Sequence, residues 1–267
     1  LLHGLEGSGE SSYARMLMDA AFDLGWRSCV LHFRDCGDYR NRLPRRYHAG
    51  ETNDLRYFLE TLHKAPEAAE NAGPLLATGF SLGGNVLLKY LGESGDETPL
   101  RAAAAVCVPL NLHECAEALN TGFSKLYQRY LLKRMKRAMG GKFNRHTAAF
   151  NWDKAMTART FAEFDDWVTA PLHGFNGMQD YYDRCSSMKY LKDIERATLV
   201  INALDDPFMT PEVIPHEEML SAHVTVEVSR AGGHVGFING GSPWRPSFYL
   251  PQRILGFLQP NAAMPGL

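Results

Sequence analysis

The pentapeptide Gly79-Phe80-Ser81-Leu82-Gly83 constrains this chain more than any other stretch. Pro74-Leu75-Leu76-Ala77-Thr78 before it reads as a short buried strand, and Gly84 to Tyr90 after it carries Val86, Leu87, Leu88 and Tyr90 at helical spacing. A G-x-S-x-G element between a strand and a helix is a nucleophile elbow: the turn lifts the serine hydroxyl over the sheet edge, and the glycines admit close backbone approach. The same turn puts the Leu82 N–H at the start of the helix, where an unpaired amide and the helix dipole favour a developing oxyanion. Glycines at this spacing also serve plain helix-on-strand packing, so partners for the serine decide the matter.

A serine hydroxyl is a poor nucleophile until a base takes its proton, and the base works best when an acid fixes its tautomer. Asp205-Asp206-Pro207 follows the strand-like Thr198 to Ala203, and His234 lies in Gly232-Gly233-His234-Val235-Gly236 after the strand-like Val224 to Val228. Both therefore sit at the carboxyl ends of strands, the edge where Ser81 emerges. Asp206 is the expected acid because Pro207 biases its backbone towards an extended form. Asp205 is assigned to the loop, hydrogen-bonding nearby amides. His3-Gly4-Leu5-Glu6 fits an oxyanion loop in which the Leu5 N–H joins that of Leu82, and His48 is expected to shape the site. His32 is read as a buried strand residue, and the remaining histidines as structural.

The 267 residues, 45% hydrophobic and 22% charged, are enough for one large α/β domain with an insertion. A net charge of -2 gives no global attraction to nucleic acid, and the arginines between Arg34 and Arg46 are interleaved with Asp35 and Asp38, as in an ion-paired surface loop. No apolar run is long enough to span a bilayer. The five cysteines form no C-x-x-C pair and are odd in number, which favours reduced thiols and a cytoplasmic setting. No H-x-x-x-H, G-x-G-x-x-G or Walker-type spacing occurs, so neither a metal nor a nucleotide cofactor is expected.

In chain order, Leu1 to His3 ends a strand, Ser12 to Leu24 is a helix, Ser28 to Phe33 a buried strand, and Arg34 to His48 a loop. A helix from Gly50 to His63 and a linker over Ala65 to Gly73 lead to the elbow. Strands at Ala102 to Val108, Thr198 to Ala203 and Val224 to Val228 alternate with helical segments, implying a mostly parallel sheet with helices on both faces. Residues 111–196 break the pattern with mainly helical signals, including the basic Lys133-Arg134-Met135-Lys136-Arg137, and read as an inserted cap. The expected units are 1–110 and 197–260 for the core, 111–196 for the cap, with a last helix at Pro251 to Leu258 and a loose tail over 261–267.

His3-Gly4-Leu5-Glu6-Gly7, Asn41-Arg42-Leu43-Pro44, Tyr47-His48-Ala49-Gly50-Glu51-Thr52, Gly79 to Asn85, Ala203 to Phe208 and Gly232 to Phe237 together resemble the YheT-type α/β-hydrolases, provisionally classed as esterases. The resemblance covers nearly the whole chain. It implies the α/β-hydrolase fold, a mostly parallel sheet flanked by helices with a helical cap, and a serine hydrolase with Ser81, Asp206 and His234 as its triad. The chain departs from the family pattern in two ways. Asp35 stands in Arg34-Asp35-Cys36-Gly37 where glycine is expected, and the fold's first strands are absent, so the chain reads as a fragment. The expected reaction is hydrolysis of a small-molecule ester, of acyl or lipid-like character, through an acyl-serine. The alternatives are acyl transfer or thioester cleavage by the same triad, or a hydrolase-fold binding protein without activity.

Overall fold

A computed structural model of the chain describes residues 1–64, 73–242 and 244–262. Four parallel strands, β1 (Leu75–Phe80), β2 (Leu100–Val106), β3 (Ala197–Ala203) and β4 (Val224–Ser229), form one sheet in the order β1-β2-β3-β4. Parallel strands buried on both faces should be continuously apolar rather than alternating, and β2, buried from Ala102 to Val106, reads that way. Beyond β1, single bridges tie Leu2 to Gly79 and to Leu31.

Helices cover both faces. On one side α1 (Ser12–Asp23) and the last helix pack Leu17, Ala21, Ile254 and Leu258 against Phe80, Ala104 and Ile201. On the other, α2 (Asn53–Lys64) and α3 (Leu82–Ser94) pack Leu55, Val86, Leu88 and Leu91 against Ala103, Ala105 and Val200. Neighbouring alanines of β2 thus serve opposite cores, the period of two expected of a strand. Each fully buried leucine or isoleucine stabilises the fold by about 1.5–3 kcal/mol.

Between β2 and β3 the described chain has only helical elements, joined by loops. It runs through α4 (Leu112–Ala118), α5 (Ser124–Lys142), α6 (Trp152–Thr157), α7 (Phe161–Phe164), a π turn over Asp165–Thr169, α8 (Ala170–His173) and α9 (Met178–Cys185). Leu132, Met135, Met139, Phe143, Phe164 and Val168 form its own apolar cluster. Among the described residues no helix is long and apolar enough to cross a membrane.

Several elements differ from the expectation. Ser28 to Phe33 is not a buried strand: only Leu31 pairs, with Leu2, while Cys29 and His32 are exposed. The stretch borders a sheet edge whose neighbour, Leu2, is itself a single bridging residue, so among the described residues there is no ladder to extend, and only Phe33 at its end is buried. A hairpin of β5 (Ile238–Ser242) and β6 (Arg245–Phe248) follows the His234 loop, and its first strand, glycine-rich at Gly240-Gly241, carries no strand signal in sequence. The last helix, α10 (Tyr249–Ala262), begins earlier and ends later than Pro251 to Leu258, and so takes up the first two residues of the supposed loose tail; 263–267 lie outside the described residues. The expected linker lies almost entirely outside them too.

Asp35 takes φ +67°, the left-handed region that glycine favours and aspartate tolerates. Its carboxylate then accepts from the Asn41 N–H at 2.9 Å and from Lys142 Nζ at 2.8 Å. With Arg34 on Asp54 and Arg46 on Glu6, much of the basic loop is internally neutralised.

Candidate active site

Ser81 is held at φ +52°, ψ -121°, a strained conformation for a residue with a side chain. The surroundings hold it there. Its N–H donates to Val106 O at 2.8 Å, Phe80 N–H donates to Leu2 O, and the strand turns at once into α3. A Cβ on Gly79 would lie 2.5 Å from Gly83 O, and one on Gly83 would lie 2.5 Å from His3 O. The glycines are therefore required by close backbone contact on both sides of the elbow.

His234 Nε2 stands 3.0 Å from Ser81 Oγ, and its Nδ1 stands 2.8 Å from Asp206 Oδ2. A carboxylate can only accept, so Nδ1 carries the proton and the Nε2 lone pair faces the hydroxyl. Asp206 is 3% exposed, and its other oxygen accepts from the Phe208 N–H at 2.9 Å. The Phe208 ring stacks on His234 with centroids 4.1 Å apart. Asp205 points elsewhere: one of its oxygens accepts from both Gly232 and Gly233 N–H at 2.8 Å, fixing the loop that carries His234. Cys107 holds the same loop, its Sγ accepting from Val235 N–H at 3.3 Å and donating to Gly233 O at 3.6 Å. Donor atoms of Cys107, Asp206 and His234 lie within 4.8 Å of one another, but each is already engaged in these contacts.

The loop from His3 to Gly7 is braced amide by amide. Gly4 N–H donates to Tyr13 Oη and Glu6 N–H to Tyr47 Oη, both at 2.8 Å, and Gly7 N–H donates to Gly4 O at 3.0 Å. Among the described residues the Leu5 N–H between them has no acceptor, and neither has the Leu82 N–H opening α3. His3 is fully buried: its Nδ1–H donates to Gly4 O at 2.7 Å, and its Nε2 accepts from Phe33 N–H at 3.1 Å. Burial lowers its pKa to about 4, so the ring is a neutral fastener behind the loop.

A cavity of about 240 Å³ opens on Ser81 and His234. Its walls are largely apolar, with Leu119, Leu131, Met135, Phe164 and Val168 supplied by the helical segment. His48 lines it, edge-on to His173 at 4.6 Å between centroids, with its pKa pushed well below the usual range by burial and then by His173. Asp165, in the π turn, also faces the cavity, its two oxygens accepting from Thr169 Oγ1 at 2.6 Å and Tyr182 Oη at 2.8 Å. Burial raises its pKa to about 6. Sequence reasoning passed over Tyr13, Tyr47, Asp165 and Phe208, and read His173, which lines the cavity, as structural only. Only Tyr47 and Phe208 carried a signal, each lying within a family-like segment.

A family model described as the alpha/beta hydrolase fold matches residues 1–241. The YheT protein of Escherichia coli (strain K12), whose name calls it an esterase only provisionally, is 42% identical over 260 residues, 97% of this chain and 75% of that one. Phospholipase ABHD3 of Homo sapiens is 32% identical over 264 residues, 97% of this chain but 63% of that protein, so this chain spans under two thirds of that relative. The esterase Pf2001 of Pyrococcus furiosus superposes with a TM-score of 0.58 at 17% identity, over 98% of this chain and 82% of that one, a likeness of fold.

Proposed function

The chain belongs to the α/β-hydrolase family, and from that membership we propose that it is a serine hydrolase cleaving carboxylic esters with an apolar acyl group. The observation that carries the proposal is the position of His234, within hydrogen-bond reach of both Ser81 and buried Asp206 at the mouth of an apolar cavity. In the first half-reaction His234 Nε2 takes the proton from Ser81 Oγ as that oxygen bonds to the ester carbonyl carbon. The carbonyl oxygen becomes an oxyanion, received by the free N–H groups of Leu5 and Leu82. Collapse breaks the bond to the alcohol, which leaves with the proton from His234, and the acyl group stays on Ser81. Water repeats the sequence with His234 as base then acid, releasing the carboxylic acid. Asp206 holds the tautomer and stabilises the imidazolium that forms in each half.

The acyl side is assigned to the cavity, whose leucine, methionine and phenylalanine walls favour hydrocarbon by desolvation. The segment 111–196 acts on this reading as a cap that screens the reacting atoms from water. The relatives' names, an esterase and a phospholipase, are in keeping with an ester or lipid-like substrate. A fluorophosphonate probe should label Ser81 and fail on Ser81→Ala; equal labelling of that variant would reject the assignment.

A further inference from the structure

The helix α5 carries seven lysines and arginines and no carboxylate in its 19 residues, in a chain whose net charge is -2. Gln128, Leu132, Met135 and Met139 turn one face inward. The opposite face is not simply polar. Leu126 is 52% exposed, Tyr130 58% and Tyr127 40%, and Phe123, just before the helix, is 69% exposed. Lys133 and Arg137 lie on that outer face too, one and two turns on from Tyr130. Alongside runs a groove of about 950 Å³ whose lining includes Lys125, Arg129, Lys133, Lys136, Arg137 and Arg159, with no carboxylate among its lining residues. Among the described residues the one ion pair of α5 is Lys142 with Asp35, at its far end. The Glu163 carboxylate accepts from the Arg159 N–H and stands outside the lining.

Position gives the face its meaning. Ser124 Oγ donates to Pro207 O, next to Asp206, and Arg134 donates to Glu6 O at 2.7 Å, on the loop beside Leu5. Tyr127 packs on Phe208 at 5.3 Å, and Phe208 on His234. The helix thus spans from the loop of the acid to the oxyanion loop, and its Leu131 and Met135 wall the cavity. A surface that mixes unpaired cations with exposed aromatic and aliphatic side chains matches the headgroup boundary of an anionic bilayer, where cations meet phosphates and rings sit among the acyl chains. A nucleic acid would use the cations but has no use for exposed Leu126, and a soluble substrate would use neither.

We propose that the outer face of α5, from Phe123 to Arg137, is a docking surface for an anionic lipid bilayer, on the helix whose inner side walls the cavity. Docking itself does not depend on the hydrolase reading; only the delivery of a lipid-borne ester to Ser81 does. The test uses the whole chain as Ser81→Ala, so that vesicles are not consumed, in co-sedimentation with phosphatidylcholine vesicles with and without phosphatidylglycerol. Expected is partitioning onto the phosphatidylglycerol vesicles alone, weakened by added salt. A combined Arg129→Gln, Lys133→Gln, Arg137→Gln variant should bind roughly a hundredfold more weakly, at about fivefold per charge removed. Phe123→Ser with Tyr130→Ser should weaken it further, with circular dichroism confirming that each variant is folded. Equal partitioning onto the neutral vesicles, no partitioning at all, or undiminished binding by the triple variant would overturn the proposal. So would retention of a single-stranded oligonucleotide in place of vesicles.

Discussion

His234 Nε2 lies 3.0 Å from Ser81 Oγ although 153 residues separate them in the chain. The parallel sheet closes that gap. β1, β3 and β4 run the same way, so their carboxyl ends share one edge, and the register there sets Val106 beside Phe80 and Ile201, and Ala203 beside Ser229. Ser81, Asp206 and His234 each follow one of those ends, which is why residues distant in sequence meet.

Asp206 and Asp205 separate chemically despite being neighbours. Asp206→Asn should cost on the order of 10³–10⁴ in kcat, by removing the acceptor that fixes the His234 tautomer. Asp205→Asn removes only the acceptor for Gly232 and Gly233 N–H and should cost much less. Steady-state kinetics on both variants checks this, and the opposite ranking would reassign the acid.

Gly83→Ala tests the packing of the elbow. The new methyl would meet His3 O at 2.5 Å and Leu2 O at 2.7 Å, both backbone atoms that cannot swing aside. A loss of about 1–3 kcal/mol or more is expected in urea unfolding, with activity falling alongside. Wild-type stability would show that the strand and helix stand further apart.

Narrowing the cavity should sort substrates by acyl length. Val168 lines it and is 3% exposed, so Val168→Phe fills part of its volume. The variant should lose roughly 10–200-fold in kcat/KM on the longest p-nitrophenyl esters accepted by wild type, and little on the acetate. An equal loss on all chain lengths would place the acyl group elsewhere.

Two groups, buried His3 and half-buried Asp165, give stability opposite slopes with pH. The folded pKa of His3 is about 4, lowered by burial, while an unfolded histidine titrates near ~6.5. The unfolded chain therefore binds more protons in that window, and stability falls by up to roughly 3 kcal/mol as pH drops through it. Asp165 is raised to about 6 by burial from the ordinary 3.8, so the folded chain binds more protons, and stability falls as pH rises through its window. In urea midpoints, the deficit of His3→Gln against wild type should shrink as pH falls from about 7 to about 4, and Asp165→Asn should gain on wild type over the same range taken upward. Differences independent of pH would contradict both.

How much of this was legible beforehand follows from the range of the forces involved. The elbow, the Asp-Asp-Pro turn and the glycine-flanked histidine are local patterns next to strands, and they announce themselves in sequence. The single-residue bridge at Leu31 does not, because whether a β-prone stretch pairs depends on its neighbour rather than on itself. Tyr13 and Tyr47 reach the loop from His3 to Gly7 from distant segments, at 2.8 Å to Gly4 and Glu6 N–H, and no local pattern marks either contact, although Tyr47 itself lies in a family-like segment. The same holds for Asp165, whose burial comes from the fold of the helical segment around it.

The mechanism turns on an acyl group carried on Ser81. The direct measurement is intact-protein and peptide mass after rapid acid quench of turnover on a p-nitrophenyl ester. A mass gain of one acyl group is expected on the Ser81 peptide, absent from Ser81→Ala, whose turnover falls to background. Turnover by Ser81→Ala within about tenfold of wild type, with no adduct on the native chain, would contradict it.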